Sequence, residues 1–175
     1  MAELSYLNIL LCAVLVFVNE SDYKKGTISL LIIFVGGFII EYIGIRTSLL
    51  FGEYRYGDAL GLKIYGVPII IGLNWFVIVT LSVNIVRWIN WPKYVLAFVA
   101  GAVATLMDAL IEPVAMKYDF WDWERHEVPM FNYLCWFVFA SAFSLVYLKF
   151  SKLKNQVALY LFCIWLVFFG VLNFV

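Results

Sequence analysis

The stretch GAVATLMDALIEPVAMKYDFWDWERHEVPMFNYLCW, residues 101–136, decides how the chain is read. It begins as an apolar helical run that carries two carboxylates, Asp108 and Glu112. It then opens into a loop dense in Trp, Asp and Glu, and a second apolar run starts at Pro129 with Asn132 a few residues in. A carboxylate near the middle of a bilayer costs about 2.5–3.5 kcal/mol on insertion scales, so a membrane helix that holds two of them calls for a functional account.

The surrounding composition makes the membrane reading firm. Of 175 residues, 65% are hydrophobic and 14% charged, with mean hydropathy +0.95. A soluble domain is nearer half apolar and about a quarter charged. Formal net charge is zero, so no basic surface points to nucleic acid. Cys12, Cys135 and Cys163 all fall within apolar runs and read as small buried hydrophobes, without the spacing of a disulfide framework or a metal knuckle. A single histidine, His126, sits in a loop, which excludes a histidine-box iron oxygenase and argues against haem. The first apolar run, behind Glu3, has no basic segment before it and no clear small-x-small cleavage site, so a retained helix is expected.

Six apolar runs are long enough to span, near 4–19, 27–50, 68–86, 93–115, 129–148 and 156–174. The expected fold is an all-α integral membrane protein, a bundle of about six transmembrane helices forming one domain over residues 1–175. Two longer polar loops follow the second and fourth helices and lie on the same face. Basic residues set the orientation. Lys24, Lys25, Arg87, Lys93, Lys149, Lys152 and Lys154 gather on one side with few acids. Arg46, Arg55, Lys63, Lys117 and Arg125 on the other are diluted by Glu53, Asp58, Asp119, Asp122, Glu124 and Glu127. The bias places the chain in the cytoplasmic membrane, multi-pass, with the two polar loops on the extracytoplasmic face.

Depth arithmetic then locates a site. Glu41 lies about nine residues before the end of the second helix, roughly 13 Å down, and Asp108 about seven residues before the end of the fourth, roughly 10 Å down. Helices 3 and 5 run back from the same face and carry Asn74 and Asn132 one to two turns in. Three acids and two amides therefore fall in one layer beneath the polar loops. Asp108 and Glu112 are spaced i,i+4 and share a helix face. Two like charges so close do not both ionise easily. Pro113 is expected to stop or kink the helix just after them, near the negative end of its dipole. Low dielectric, like charge and dipole act together toward a protonated carboxyl, as a general acid requires. The structural alternative is an ion pair with Arg46 or Lys117.

The flanking loops add candidates. Glu53-Tyr54-Arg55-Tyr56-Gly57-Asp58 is too polar and too glycine-bounded for a helix and reads either as a re-entrant cap over the site or as a loop with a satisfied Glu–Arg pair. Trp75, Trp121, Trp123 and Trp136 are candidates to line a cavity for an apolar ligand, or else belong to the interfacial belt. Asp119 and Asp122 form a weak D-x-x-D match to the magnesium-diphosphate motif of membrane prenyltransferases, and no metal site is expected. His126 reads as a solvated loop residue.

The blocks FGEYRYGDALGLKIYGVPIIIGLNWF (51–76), DALIEPVAMKYDFWDW (108–123) and VPMFNYLCWF (128–137) resemble the carotenoid biosynthesis membrane proteins, the family that includes the carotenoid 1,2-hydratases and bisanhydrobacterioruberin hydratase. The resemblance covers roughly residues 41–137, and members are commonly longer by a helix or more. It implies a cofactor-independent hydratase that adds water across the terminal C1–C2 double bond of an acyclic carotenoid drawn from the bilayer lipids. In that reaction a carboxyl protonates C2, and water captures the tertiary cation at C1. Asp108, Glu41 and Glu112 are the catalytic candidates. Asn74, Asn132, Trp75, Tyr54, Tyr56, Arg55, Asp58, Trp121, Trp123 and Trp136 are candidates to bind substrate or water. Three other readings compete: a carotenoid cyclase using the same protonation, a non-catalytic carotenoid-binding or transport protein, and a magnesium prenyltransferase. The acids lie toward one face and no internal repeat is visible, which disfavours a transporter.

Overall fold

A computed structural model describes residues 5–152 and 154–175. Leu4, the first residue of the first expected run, lies outside them. Six helices are present among the described residues: α1 (Ser5–Val18), α2 (Tyr23–Thr47), α3 (Ile70–Val86), α4 (Lys93–Lys117), α5 (Met130–Phe150) and α6 (Gln156–Leu172). By length and composition α2, α4 and α5 can each cross a membrane. The other three have 14, 17 and 17 residues, about 21–26 Å at 1.5 Å per residue, short of a 30 Å hydrocarbon core. The fold is that of an all-α membrane protein.

The helix ends follow from local chemistry. Asp22 caps α2 by accepting from Lys25 N at 3.1 Å, and Asn155 caps α6 by accepting from Ala158 N at 3.1 Å. Ser48, at φ 53°, turns left-handed and ends α2, so the apolar Leu49 and Leu50 fall beyond the helix. Pro92 and Pro129 occupy the N-cap positions of α4 and α5, where a missing N–H costs nothing. Of the stop or kink expected at Pro113, the stop does not occur: the proline lies inside α4, which runs on to Lys117. The side chain of Asn173 donates to Leu110 O at 2.9 Å, supplying the turn around the proline with an external donor.

Helix α3 is the axis of the bundle. It packs against all five other helices, and only Ile70, Leu73 and Ile85 along it escape full burial. A helix apolar all round belongs in such an interior. Close approach depends on residues without side chains. A Cβ on Gly37 of α2 would sit 2.7 Å from the Trp75 ring, and one on Gly101 of α4 would sit 2.0 Å from Ser141 Oγ of α5. Small residues at crossings let membrane helices pack in this way.

The two polar loops form short strands. β1 (Tyr54–Tyr56) pairs antiparallel with β4 (Trp121–Trp123), matching Tyr54 with Trp123, Arg55 with Asp122 and Tyr56 with Trp121. β2 (Lys63–Ile64) and β3 (Val67–Pro68) form a small hairpin. Of the two readings of the Glu53–Asp58 segment, the cap is what forms, though as a strand laid over the helix ends. The Glu53–Arg55 pair is replaced by one between Arg55 and Asp122 at 3.7 Å.

Candidate functional site

Beneath the β1–β4 cap, the helix ends bring three carboxylates to one small cavity. Glu41 comes from α2, Asp108 and Glu112 from α4, Asn74 from α3, and Asn132 and Trp136 from α5. The three acids and Asn132 are each no more than 4% exposed. Tyr54, Tyr56, Trp121 and Trp123 close the top, because side chains alternate along a strand and these four share the inward face. Arg55 and Asp122 take the outward positions, and the Arg55 side chain is 85% exposed.

Each acid has a different set of donors. Glu41 Oε1 accepts from Trp75 Nε1 at 2.8 Å. Its Oε2 accepts from Tyr56 Oη at 2.8 Å and from Tyr54 Oη in a shorter bond. Glu112 Oε2 accepts from Trp121 Nε1 at 2.8 Å and Trp123 Nε1 at 2.9 Å. Asn132 Nδ2 bridges the pair on α4, donating to Asp108 Oδ2 and Glu112 Oε1, each at 3.1 Å. That leaves Asp108 Oδ1 as the one carboxylate oxygen in the cluster without a hydrogen bond among the described residues. Asn74 has no hydrogen-bond partner for its side-chain amide there either, yet it lines the cavity.

Among the described residues no Lys or Arg forms an ion pair with these acids. The ion pairs among the described residues involve neither Arg46 nor Lys117, and none reaches Glu41, Asp108 or Glu112. Lys117 instead lies over the Tyr118 ring, 5.8 Å from its centroid. Burial first, and then the charge of Glu41, push the phenols of Tyr54 and Tyr56 well above their usual value, so both serve as neutral donors. Aromatic faces surround the acids: Trp75 stacks on Trp136 at 3.9 Å, and Tyr54 lies 5.0 Å from Trp123.

The free volume within this chamber is about 20 Å³, room for about one water molecule. A second cavity of about 440 Å³ adjoins it, and Ile71, Asn74 and Trp121 line both. The larger space is walled mainly by apolar residues of α1, α4 and α6.

Of the residues singled out in the sequence, Glu41, Asp108, Glu112, Asn74, Asn132, Tyr54, Tyr56, Trp121, Trp123 and Trp136 line the chamber. Trp75 reaches it through its bond to Glu41. Arg55 and Asp58 are not brought there; the Asp58 side chain is fully exposed and pairs with Lys63 at 2.7 Å. The D-x-x-D acids part company: Asp119 Oδ2 accepts from Asp58 N at 3.3 Å, whereas Asp122 takes His126 Nδ1 at 2.7 Å. His126 ends a single 3-10 turn, Glu124–His126, with its side chain 80% exposed. Two lining residues, Phe51 and Ile71, were not singled out. Nothing in their local sequence marks either one, since each is an apolar residue beside many others.

An apolar helical bundle that encloses three buried acids under an aromatic cap defines a class: a small all-α membrane protein with an acidic chamber beside a larger apolar cavity. The chain belongs to the carotenoid biosynthesis protein family, which it matches over residues 3–175. It is also similar to the bisanhydrobacterioruberin hydratase of Haloarcula japonica, with 26% identity over 137 residues, 71% of this chain and 45% of that protein. The chain thus spans less than half the length of that relative. No solved structure matches it.

Proposed function

We propose that this protein is a cofactor-independent carotenoid hydratase that adds water across the terminal C1–C2 double bond of an acyclic carotenoid end group. The observation that carries the reading is the pairing of uncompensated buried acids with room for about one water, next to a much larger apolar space. Membership of the carotenoid biosynthesis family and similarity to a protein named as a hydratase support it.

In this reading Asp108 is the proton donor, since its Oδ1 is the acid oxygen left open while Glu41 is held by three donors. The Asp108–Glu112 pair enters the cycle with one proton, which moves to C2 as the double bond breaks and leaves a tertiary cation at C1. The faces of Trp121, Trp136 and Tyr54 stabilise that cation. A water held by Asn74 forms the bond to C1 and sheds a proton to Glu112. The pair again carries one proton, and the sum is one water added. Glu41 acts as the anchor of the cap. In this reading the bundle sits in the cytoplasmic membrane, with the cap on the extracytoplasmic face opposite the lysine-rich turns, the side that the positive-inside bias favours.

The test is expression in a cell that accumulates lycopene or another open-ended carotene, followed by mass analysis of the pigments. A gain of one water, about 18 mass units, with an unchanged chromophore is the expected result. Unchanged mass with a ring-type spectrum would replace the hydratase with a cyclase, and unchanged pigment would overturn the reading for that substrate.

A further inference from the structure

The large cavity has a shape and position that the chamber chemistry alone does not require. Its wall on α6 runs from Leu161 to Leu172, eleven residues or about 16 Å along the helix. Ile9 and Cys12 of α1, Ile71 and Asn74 of α3, and Ile111 and Val114 of α4 complete much of the lining. The space is therefore a channel lying along the bundle. Two of its α6 wall residues, Ile164 and Phe168, are also 59% and 49% exposed. The inner end is the threshold shared with the acid chamber, and there the unpartnered amide of Asn74 faces both spaces.

We propose that the cleft between α1 and α6 is a lateral slot that admits a linear isoprenoid chain from the bilayer, reactive end first, and delivers that end to Asn74 and Trp121. This deepens the hydratase reading and rests on it for the identity of the reactive end. Its volume, about 440 Å³, lies within the range of small-molecule sites, roughly 300–1,000 Å³. Elongation and apolar walls suit a thin hydrocarbon chain. The slot explains why the chamber itself is so small: the chain is housed next door, and the chamber needs space only for the water and the reacting carbons.

Cys12 provides a native reporter, since it lines the slot and lies outside the chamber. Cys163 on α6 is exposed and lies outside the slot. Membranes holding the intact protein, with and without lycopene, are treated with N-ethylmaleimide at mildly alkaline pH, and each cysteine's alkylation is followed by peptide mass spectrometry. The expected result is that lycopene slows alkylation of Cys12 at least about fivefold and leaves Cys163 unchanged. No difference at Cys12 between loaded and empty membranes, whether it reacts in both or in neither, would overturn the slot; equal shielding by phospholipid chains gives that same outcome. The pigment mass from the same cells separates the two claims. Protection without added water would keep the slot and remove the hydratase, and added water without protection would do the reverse.

Discussion

The chain buries carboxylates at both ends of its bundle, and the two ends treat them differently. At the end opposite the cap, Glu20 is 6% exposed and both its oxygens are taken. Tyr147 Oη donates to one and Ser151 Oγ to the other, the latter at 2.9 Å. A cation stands by: Arg87 Nη2 donates to Ser151 O at 2.7 Å, its guanidinium lies 5.5 Å from the Tyr147 ring centroid, and Glu20 acts on it electrostatically. Asn84 and Asn155 extend the network, with Asn155 N donating to Asn84 Oδ1 at 2.8 Å. That cluster ties the α1–α2 turn to α3, α5 and α6 and is closed. The capped end gathers three acids, no cation, an open oxygen on Asp108, an open amide on Asn74 and free volume. Burial of an acid is common to both; what separates the two ends is whether charge and hydrogen bonds are already satisfied.

The sharpest way to break that contrast is Asp108→Asn. The change is nearly isosteric and keeps a group that can bond to Asn132, so folded protein in the membrane is expected at wild-type levels. Loss of the proton donor should lower hydrated product by at least about a hundredfold, the usual scale for removing a general acid. Wild-type product from that variant would end the assignment of Asp108. Next in size is Asn74→Leu, which removes the open amide and fills the threshold. Water capture is expected to fall about tenfold, close to 1.4 kcal/mol, with the cation diverted to elimination or ring closure of unchanged mass. Undiminished hydration would show that Asn74 does not hold the water.

The brace gives the matched control. Glu20→Gln keeps an acceptor for Tyr147 but removes the charge facing Arg87, so a loss of about 1–3 kcal/mol in stability is expected. The readout is a lower thermal midpoint in detergent, with product per folded molecule within about twofold of wild type. A Glu20 variant as inactive as Asp108→Asn, though still folded, would erase the distinction between the two ends.

Much of this was legible in the sequence because apolar run length and helix rise are simple quantities. The run at 93–115 became α4, Lys93–Lys117, and counting down from the loop ends placed Glu41, Asp108, Asn74 and Asn132 around one cavity. Long-range pairing was not legible. Tyr-Arg-Tyr and Trp-Asp-Trp each alternate with period two, but three residues are too few to announce a strand, and the partners lie more than sixty positions apart. Glu20 reads as an ordinary loop acid, since Tyr147 and Ser151 reach it only through the folded bundle. The structural alternative, a countercharge from Arg46 or Lys117, does not form among the described ion pairs for a related reason: proximity in sequence to a helix end does not aim a long side chain inward.

The smallest predicted effect concerns the donors that set Glu41 apart from Asp108. Free phenols ionise near pH 10, and burial, followed by the charge of Glu41, holds Tyr54 and Tyr56 well above that. A raised value means the folded chain binds these protons more tightly than the unfolded chain. The stabilisation is therefore complete below about pH 10 and is lost as pH rises toward the folded-state values. In a tyrosinate absorbance titration, wild type and a Tyr54→Phe, Tyr56→Phe double variant should show the same amplitude near pH 10, although 11 tyrosines are present in the first and two fewer in the second. The curves should separate only at higher pH, together with loss of the near-ultraviolet circular dichroism of the packed tryptophans. Two extra tyrosines ionising near pH 10 in the folded wild type would mean that the cap does not hold Glu41 as drawn. Glu41 would then be as open as Asp108, and the choice of proton donor between them would have to be made again.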